Sequence, residues 1–176
     1  SLNKANFKCP APIVNNSNST ITNFDGKKLM IVSFLDGKAK FNLSPNNCKD
    51  IGIETAKMHE LTKNFKIKRQ NDLSVNSWRS LFETVKDQCS KLHKDLPKLI
   101  EESLNSVEKK WPKDLPKGII HADLFHDNIF FNKDKLSGII DFYFSCEDFF
   151  AFEIAICFNA LCFDGAKENL SFNVTK

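Results

Sequence analysis

Polar residues cluster between apolar, strand-like segments in the second half of the chain. The run Gly118-Ile119-Ile120 leads into the polar stretch HADLFHDN, residues 121–128. Apolar residues on both sides of a polar turn over residues 129–140 predict a β-hairpin, and Asp141 follows its second strand. The polar groups therefore stand at strand ends, where loops held by a rigid scaffold often carry function.

The order of these residues fits the requirements of phosphoryl transfer. In that chemistry a loop aspartate orients the acceptor hydroxyl and takes its proton. An asparagine and a second aspartate, placed after a hairpin, hold Mg²⁺ on the phosphates of ATP. The matching residues are Asp123 as the catalytic base and Asn128 and Asp141 as metal ligands. Oxygen ligands suit Mg²⁺, a hard cation that takes few protein ligands, so the spacing predicts a reaction that uses ATP and Mg²⁺.

Three runs carry a family resemblance: HADLFHDN, then SGIIDFYF at residues 137–144, and AICFNA at residues 155–160. Together they resemble the homoserine kinases of the aminoglycoside phosphotransferase and choline kinase superfamily. The loop alone indicates the superfamily, and the two later runs indicate the homoserine branch. The resemblance implies an ATP-dependent phosphotransferase that acts on the side-chain hydroxyl of L-homoserine in threonine biosynthesis. The alternative is a related kinase of choline, aminoglycosides or methylthioribose, because such relatives share the loop.

The same resemblance implies an α+β, protein-kinase-like fold that is present in part. Residues 1–37 correspond to the end of the N-terminal β lobe and the hinge. Residues 38–176 correspond to a mainly helical C-terminal lobe with the catalytic-loop hairpin. The phosphate-covering loop and the lysine that meets the α- and β-phosphates cannot be placed in this sequence. We therefore expect an internal fragment of a larger kinase, and a catalytically inactive kinase-like fragment is the rival interpretation.

Further residues take roles by their positions in the resembled family. These are Ser33, Phe34 and Leu35 as the hinge that meets the ATP adenine, and His121 and Glu153 as structural supports of the loop. The superfamily commonly has a small residue or proline at the positions of His126 and Asp127, so these two residues either face solvent or line the acceptor pocket. Glu153 stands where relatives usually carry aspartate, so its longer side chain must pack differently. Asn159 is either a buried hydrogen-bonding residue or an acceptor contact.

A metal-dependent hydrolase is a second class of function that the residues leave open. Its candidate zinc or manganese ligands are His121, Asp123, His126, Asp127 and Asp141. The placement of Asp141 after a hairpin and the position of Asn128 favour phosphoryl transfer instead.

Hydrophobic periodicity and turn residues predict the elements around the site. They are a hairpin over residues 20–34 with a turn at Asp25-Gly26, a central buried strand over 29–35, helices over 45–62, 78–92, 96–111 and 147–163, and a solvated loop over 63–77. Ser44 is the predicted N-cap of the first helix, and Ser145 opens a predicted capping box for the last. That last helix is apolar nearly all round, which predicts a place in the middle of a helical lobe. His59 is predicted to be a partly buried or capping histidine without a chemical task.

The composition of the chain limits its domain number, its partners and its location. The 176 residues fit about one domain, and the formal charge of +3 is too small to indicate nucleic acid or an anionic membrane as a partner. We identify no signal-peptide core and no membrane span, and the six cysteines are scattered without a Cys-x-x-Cys pair. These features favour reduced thiols and a cytoplasmic protein with a small-molecule substrate.

Overall fold

The computed structural model describes residues 2–164 and 171–172. The helices are α1 (Pro45–Thr62), α2 (Val75–Leu92), α3 (Leu96–Lys110) and α4 (Phe150–Leu161). The strands are β1 (Thr22–Phe24), β2 (Lys27–Leu29), β3 (Lys38–Ala39), β4 (Lys117–Ile120), β5 (Ile129–Asn132), β6 (Lys135–Ile139), β7 (Cys146–Phe149), β8 (Phe163–Asp164) and β9 (Ser171–Phe172). Short 3₁₀ turns lie at Asn3–Ala5, His126–Asn128 and Phe142–Phe144. In the part of the chain described, no helix combines the length and the apolar character needed to cross a bilayer.

Helix α1 has the predicted bounds because its first turn is capped by side chains. The Ser44 Oγ accepts from the Asn47 N–H at 3.3 Å, and the Asn47 Oδ1 accepts from the Ser44 N–H at 3.0 Å. Pro45 at the first helical position needs no N–H partner. The buried face of α1 then enters the main core, as its spacing predicted.

The main core joins α1 to the catalytic-loop hairpin. Strands β3, β5 and β6 form one antiparallel sheet, and β4 pairs with β7 in another. The buried members of this core are Phe7, Leu43, Ile51, Met58, Leu124, Ile129, Phe131, Leu136, Ile139 and Leu161. The predicted strand before the loop and the predicted hairpin after it are both confirmed.

The segment around Phe7 reaches this core by crossing the hairpin at Gly138. The Lys8 carbonyl oxygen lies 2.6 Å from the place that a Cβ on Gly138 would occupy, so a side chain there would displace the segment. The Ile139 N–H donates to that same carbonyl at 2.9 Å. The hairpin therefore fastens the first residues of the chain to the core through a glycine.

Helices α2 and α3 pack on each other, as their amphipathic spacing predicted. Phe82, Cys89 and Leu104 are buried between them. Helix α2 begins at Val75, before the predicted start at Trp78, and α3 ends one residue before Trp111. The irregular loop that precedes α2 runs beside β7, where the Arg69 carbonyl accepts from the Glu147 N–H at 2.7 Å.

The prediction of a buried strand over residues 29–35 was wrong. Strand β2 ends at Leu29, and Ile31 and Phe34 are 62% and 88% exposed. In the described part of the chain, the run beyond Leu29 pairs with residues 11–13, through an isolated bridge between Pro12 and Val32. The Ala11 N–H donates to the Ser33 Oγ at 2.9 Å and not to a backbone carbonyl, so the pairing does not continue as a regular ladder. Apolar content alone therefore did not indicate burial here.

The predicted start of the last helix was also wrong, because residues 146–149 form β7. This strand pairs along the whole of β4, with Ile120 opposite Cys146. The Ser145 Oγ is buried and finds no hydrogen-bond partner among the described residues, so it does not cap a helix. Pairing with the edge of β4 satisfies the backbone and outweighs the local helix signal.

Helix α4 is half exposed, which corrects the prediction of a central helix. Ile154 and Phe158 are 50% and 48% exposed, whereas Glu153 and Leu161 are buried. Within the described residues, α4 packs on β4, β7 and β8, which lie along one side of it. The sequence over residues 164–176 is polar and predicts no clear element, and most of these residues lie outside the described part of the chain.

Candidate functional site

A fully buried carboxylate positions the backbone at the start of the polar loop over residues 121–128. The Oε1 of Glu153 accepts from the His121 N–H at 2.7 Å and from the Ala122 N–H at 2.9 Å. Ala122 has a φ of +66°, a left-handed conformation that costs an alanine about 1–2 kcal/mol. The two hydrogen bonds from Glu153 hold the loop in that conformation.

His59 of α1 supports Glu153 from the other side, a contact that sequence reasoning missed. Its Nε2 donates to the Glu153 Oε2 at 2.7 Å, and its ring stacks on Phe150 with centroids 4.2 Å apart. A buried carboxylate needs such a donor because burial without a partner disfavours the charge. One signal was available: His59 follows Thr55 by four residues, which places both on the buried face of α1.

His121 links the loop to the end of β6 and is fixed in one tautomer. Its Nε2 donates to the Ile140 carbonyl at 2.8 Å, and its Nδ1 accepts from the Asp123 N–H at 3.3 Å. Burial lowers the pKa of His121, although the Ile140 carbonyl and the carboxylates of Glu153, Asp123 and Asp141 act in the opposite direction. The imidazole is therefore a neutral brace between the two loop segments.

This lowered pKa predicts that acid destabilises the protein through His121. The unfolded chain takes up the proton as the pH falls below about 6.5, the ordinary histidine value, whereas the folded chain resists it until lower pH. The contribution of His121 to the free energy of unfolding should therefore be fully present above that pH. It should decrease as the pH falls towards the pKa of His121 in the folded state. Denaturation of His121→Gln at a series of pH values should show a weaker pH dependence. The exposed His93→Gln variant should keep the dependence of the wild type, and an unchanged slope in His121→Gln would contradict the assignment.

Asp123 and Asn128 are joined across the loop. The Asn128 Nδ2 donates both to the Asp123 carbonyl oxygen and to its Oδ2, each at 2.8 Å. This orients the Asn128 side chain so that its Oδ1 is the atom that faces away from the aspartate. The Asn128 backbone is held as well, because its carbonyl accepts from the Ile140 N–H at 3.0 Å.

Asp141 lies two residues after β6 in a left-handed conformation, with a φ of +58°. Its Oδ1 accepts from the Tyr143 N–H at 3.3 Å, and the residue is exposed. Ile140, its neighbour, bonds to both His121 and Asn128. The structure therefore brings the segments that carry Asp123, Asn128 and Asp141 together at one end of the hairpin.

The other predicted site residues lie on the loop, on helix α4 and in the segment that follows β2. His126 stacks on Phe41 with ring centroids 5.5 Å apart, and Asp127 is exposed in the same loop. Asn159 is exposed on α4, so it is not the buried hydrogen-bonding residue of the first alternative. The Ser33 hydroxyl accepts from the Ala11 N–H at 2.9 Å, well away in sequence from the loop. No group of three or more His, Cys, Asp or Glu side chains in the described residues is arranged to hold a metal ion.

A model of the phosphotransferase enzyme family (APH) matches residues 1–170, which includes every residue of this site. The chain belongs to the phosphotransferase enzyme family. Among proteins of this family, it is 41% identical over 175 residues to a homoserine kinase of Beijerinckia indica, covering 99% of this chain and 54% of that protein. It is 39% identical to a homoserine kinase of Rhizobium meliloti, covering 99% of this chain and 53% of the relative. The chain thus spans about half the length of the curated relatives it matches.

Solved structures show that the phosphotransferase fold extends to this chain. The amicoumacin kinase hAmiN, in complex with AMP-PNP, Ca²⁺ and Ami, superposes with a TM-score of 0.64 at 17% identity, covering 88% of this chain and 48% of that one. An aminoglycoside-3'-phosphotransferase of type VIII gives a TM-score of 0.62 at 13% identity, covering 88% and 58%. At such low identities the likeness shows the fold alone, an α+β arrangement of which this chain has about half.

Proposed function

We propose that the protein transfers the terminal phosphoryl group of ATP to the side-chain hydroxyl of L-homoserine, a step of threonine biosynthesis. One observation supports phosphoryl transfer as the class of reaction: hydrogen bonds connect Asp123, Asn128 and the segment next to Asp141 within a fold of the phosphotransferase family. The acceptor is favoured by relatives called homoserine kinase at about 40% identity over nearly the whole chain.

Asp123 is the proposed catalytic base. The acceptor oxygen would attack the terminal phosphorus of ATP, the bond from that phosphorus to ADP would break, and the hydroxyl proton would pass to the Asp123 carboxylate. The amide of Asn128 holds this carboxylate by its Oδ2. The chain therefore supplies an oriented base before the acceptor arrives, and orientation is a large part of catalysis in such reactions.

Asn128 and Asp141 are the proposed metal ligands. The amide orientation described above leaves the Asn128 Oδ1 for a cation, and the exposed Asp141 carboxylate adds a charged oxygen. Carboxylate and carbonyl oxygens suit Mg²⁺, so the residues present fit the ion that the reaction class uses. Bound there, Mg²⁺ would neutralise charge on the ATP phosphates.

The remaining assignments are also proposals. The backbone of Ser33, Phe34 and Leu35 would meet the adenine, at the boundary between a remnant of the N-terminal lobe (residues 1–37) and the helical lobe (residues 38–176). His126 and Asp127, on the exposed side of the loop, would line the acceptor pocket. A cytoplasmic location is proposed because the six cysteines are free thiols within the described residues.

The proposed function is tested by measuring ADP release from ATP and Mg²⁺ by the protein at its natural length. Release that depends on L-homoserine, with choline as the comparison acceptor, supports the homoserine assignment. Release with choline but not homoserine would support a related small-molecule kinase instead. Nucleotide binding without release for any acceptor would support a catalytically inactive kinase-like module.

Replacing Asp141 by Asn should remove Mg²⁺-dependent turnover. The change keeps the shape but removes the charge that would draw the cation, which is expected to lower kcat by at least about a hundredfold. The measurement is kcat against Mg²⁺ concentration, with Asp114→Asn, an exposed residue before β4, as the matched control. Wild-type turnover by the Asp141→Asn variant would exclude the metal role.

A further inference from the structure

The two arginines of the chain are held in different ways. Arg79 is held by a bidentate ion pair, because its Nε and Nη2 donate to both carboxylate oxygens of Glu108 at 2.8 and 2.7 Å, and its Nη2 also reaches the Asn105 Oδ1 at 2.9 Å. Arg69 has no such bidentate partner among the described residues. Its nearest carboxylate there is that of Asp72, 3.7 Å from Nη2, which is longer than a hydrogen bond.

The structure holds the Arg69 guanidinium beside the segment that carries Asp141. Its Nη1 donates to the Tyr143 carbonyl oxygen, and the guanidinium lies over the Tyr143 ring, 5.7 Å from its centroid. The same Tyr143 donates its N–H to the Asp141 Oδ1. The Arg69 backbone is fixed as well, because its carbonyl accepts from Glu147 in β7. Tyr143 therefore connects the Arg69 guanidinium to Asp141, the proposed metal ligand, through two hydrogen bonds.

Among the residues that the structure describes, the remaining donors of Arg69 are available to a ligand. The side chain is 46% exposed, and a guanidinium has five N–H donors in a planar fork, of which the Tyr143 carbonyl takes one. Asp72 is 79% exposed and can turn into solvent. A fixed, half-exposed fork of this kind matches the geometry of a carboxylate, which it can bind through two parallel hydrogen bonds.

We propose that Arg69 binds the α-carboxylate of the acceptor and so selects an amino acid from among alcohols. This inference rests on the proposed function, which places the acceptor hydroxyl at Asp123. A short carbon chain separates the hydroxyl of homoserine from its carboxylate, so the carboxylate must lie close to the catalytic loop and the Asp141 segment. Arg69 is the arginine of this chain that the structure fixes to that segment.

Two other roles for Arg69 make different predictions. If it only clamped the loop before α2 to the Asp141 segment, its loss would affect every acceptor alike. If it met the ATP phosphates, its loss would raise the KM for ATP. A carboxylate anchor predicts instead a loss that is confined to acceptors with a carboxylate.

The test uses Arg69→Lys, which keeps the charge without the fork, and Arg69→Gln, in the protein at its natural length. Each variant is assayed with L-homoserine and with the aminopropanol that keeps its hydroxyl and amine but lacks the carboxylate. Both variants should lower kcat/KM for homoserine about 10- to 100-fold, mainly through KM, because a hydrogen bond to a charged group is lost. The values for the aminopropanol and the KM for ATP should stay within about twofold of wild type.

Arg79→Gln is the matched control, since it removes the other arginine and should leave the ratio of the two acceptors unchanged. Equal losses on both acceptors, or a raised KM for ATP alone, would overturn the assignment of Arg69. Failure of the wild type to phosphorylate homoserine would overturn the proposed function itself, and the two failures are therefore distinguishable.

Discussion

Replacing Asp123 by Asn is expected to lower kcat for phosphoryl transfer by about a hundredfold to ten-thousandfold, the range that general base catalysis contributes. The amide of the variant cannot accept the hydroxyl proton. Its oxygen can still accept the hydrogen bond from the Asn128 Nδ2, which now joins Asp123 to Asn128 at 2.8 Å. The loop should therefore keep its shape while the chemical step is lost. The measurement is kcat and KM for homoserine and ATP by coupled ADP release.

Two controls separate this chemical effect from a structural one. The melting temperature of Asp123→Asn should lie near that of wild type, and its affinity for ATP should be retained. Asp114→Asn makes the same chemical change at an exposed position before β4 and should leave kcat unaltered. A kcat within a factor of a few of wild type for Asp123→Asn would assign the base to another residue.

Much of the scaffold of the site could be predicted because its signals are local. The bounds of α1 follow from the Ser44 capping box and from the spacing of Ile51 and Met58. The hairpin of β5 and β6 follows from two apolar runs that flank a polar turn. The order of Asp123, Asn128 and Asp141 is visible in sequence, although only the structure shows that Ile140 and His121 tie their segments together.

The errors share a physical cause, which is that the deciding contact lies far away in sequence. The segment that forms β7 has a capping pattern, yet pairing with β4 decides its conformation. The apolar run after Leu29 has the composition of a buried strand, yet it meets residues 11–13 through an isolated bridge and stays exposed. His59 contacts Glu153 across 94 positions, which a helical spacing cannot reveal.

Glu153→Ala should be the most destabilising substitution in the site, with a loss of about 2–6 kcal/mol in the free energy of unfolding, because two buried backbone donors lose their acceptor. The change strips acceptors from the N–H groups of His121 and Ala122, and each buried unsatisfied donor costs about 1–3 kcal/mol. It also removes the partner of the His59 Nε2. Urea denaturation at neutral pH measures the loss.

Glu153→Gln is the matched variant, because its side-chain carbonyl can still accept both backbone N–H groups. The new amide group then faces His59, whose ring can change tautomer so that Nε2 accepts where it formerly donated. Most of the stability should therefore return in Glu153→Gln. The exposed Glu60→Ala should change the free energy of unfolding by less than about 0.5 kcal/mol. A loss in Glu153→Ala no larger than that of Glu60→Ala would mean that the buried carboxylate does not brace the loop.

The same pair of variants connects stability to catalysis. Ala122 holds a left-handed conformation next to Asp123, and Glu153 is the side chain that accepts its N–H. A displacement of the loop by about 1 Å is enough to cost on the order of a hundredfold in rate. Glu153→Ala should therefore lower kcat under conditions where the protein is still folded, whereas Glu153→Gln should retain most of it. A folded Glu153→Ala variant with wild-type kcat would show that Asn128 alone is sufficient to position Asp123.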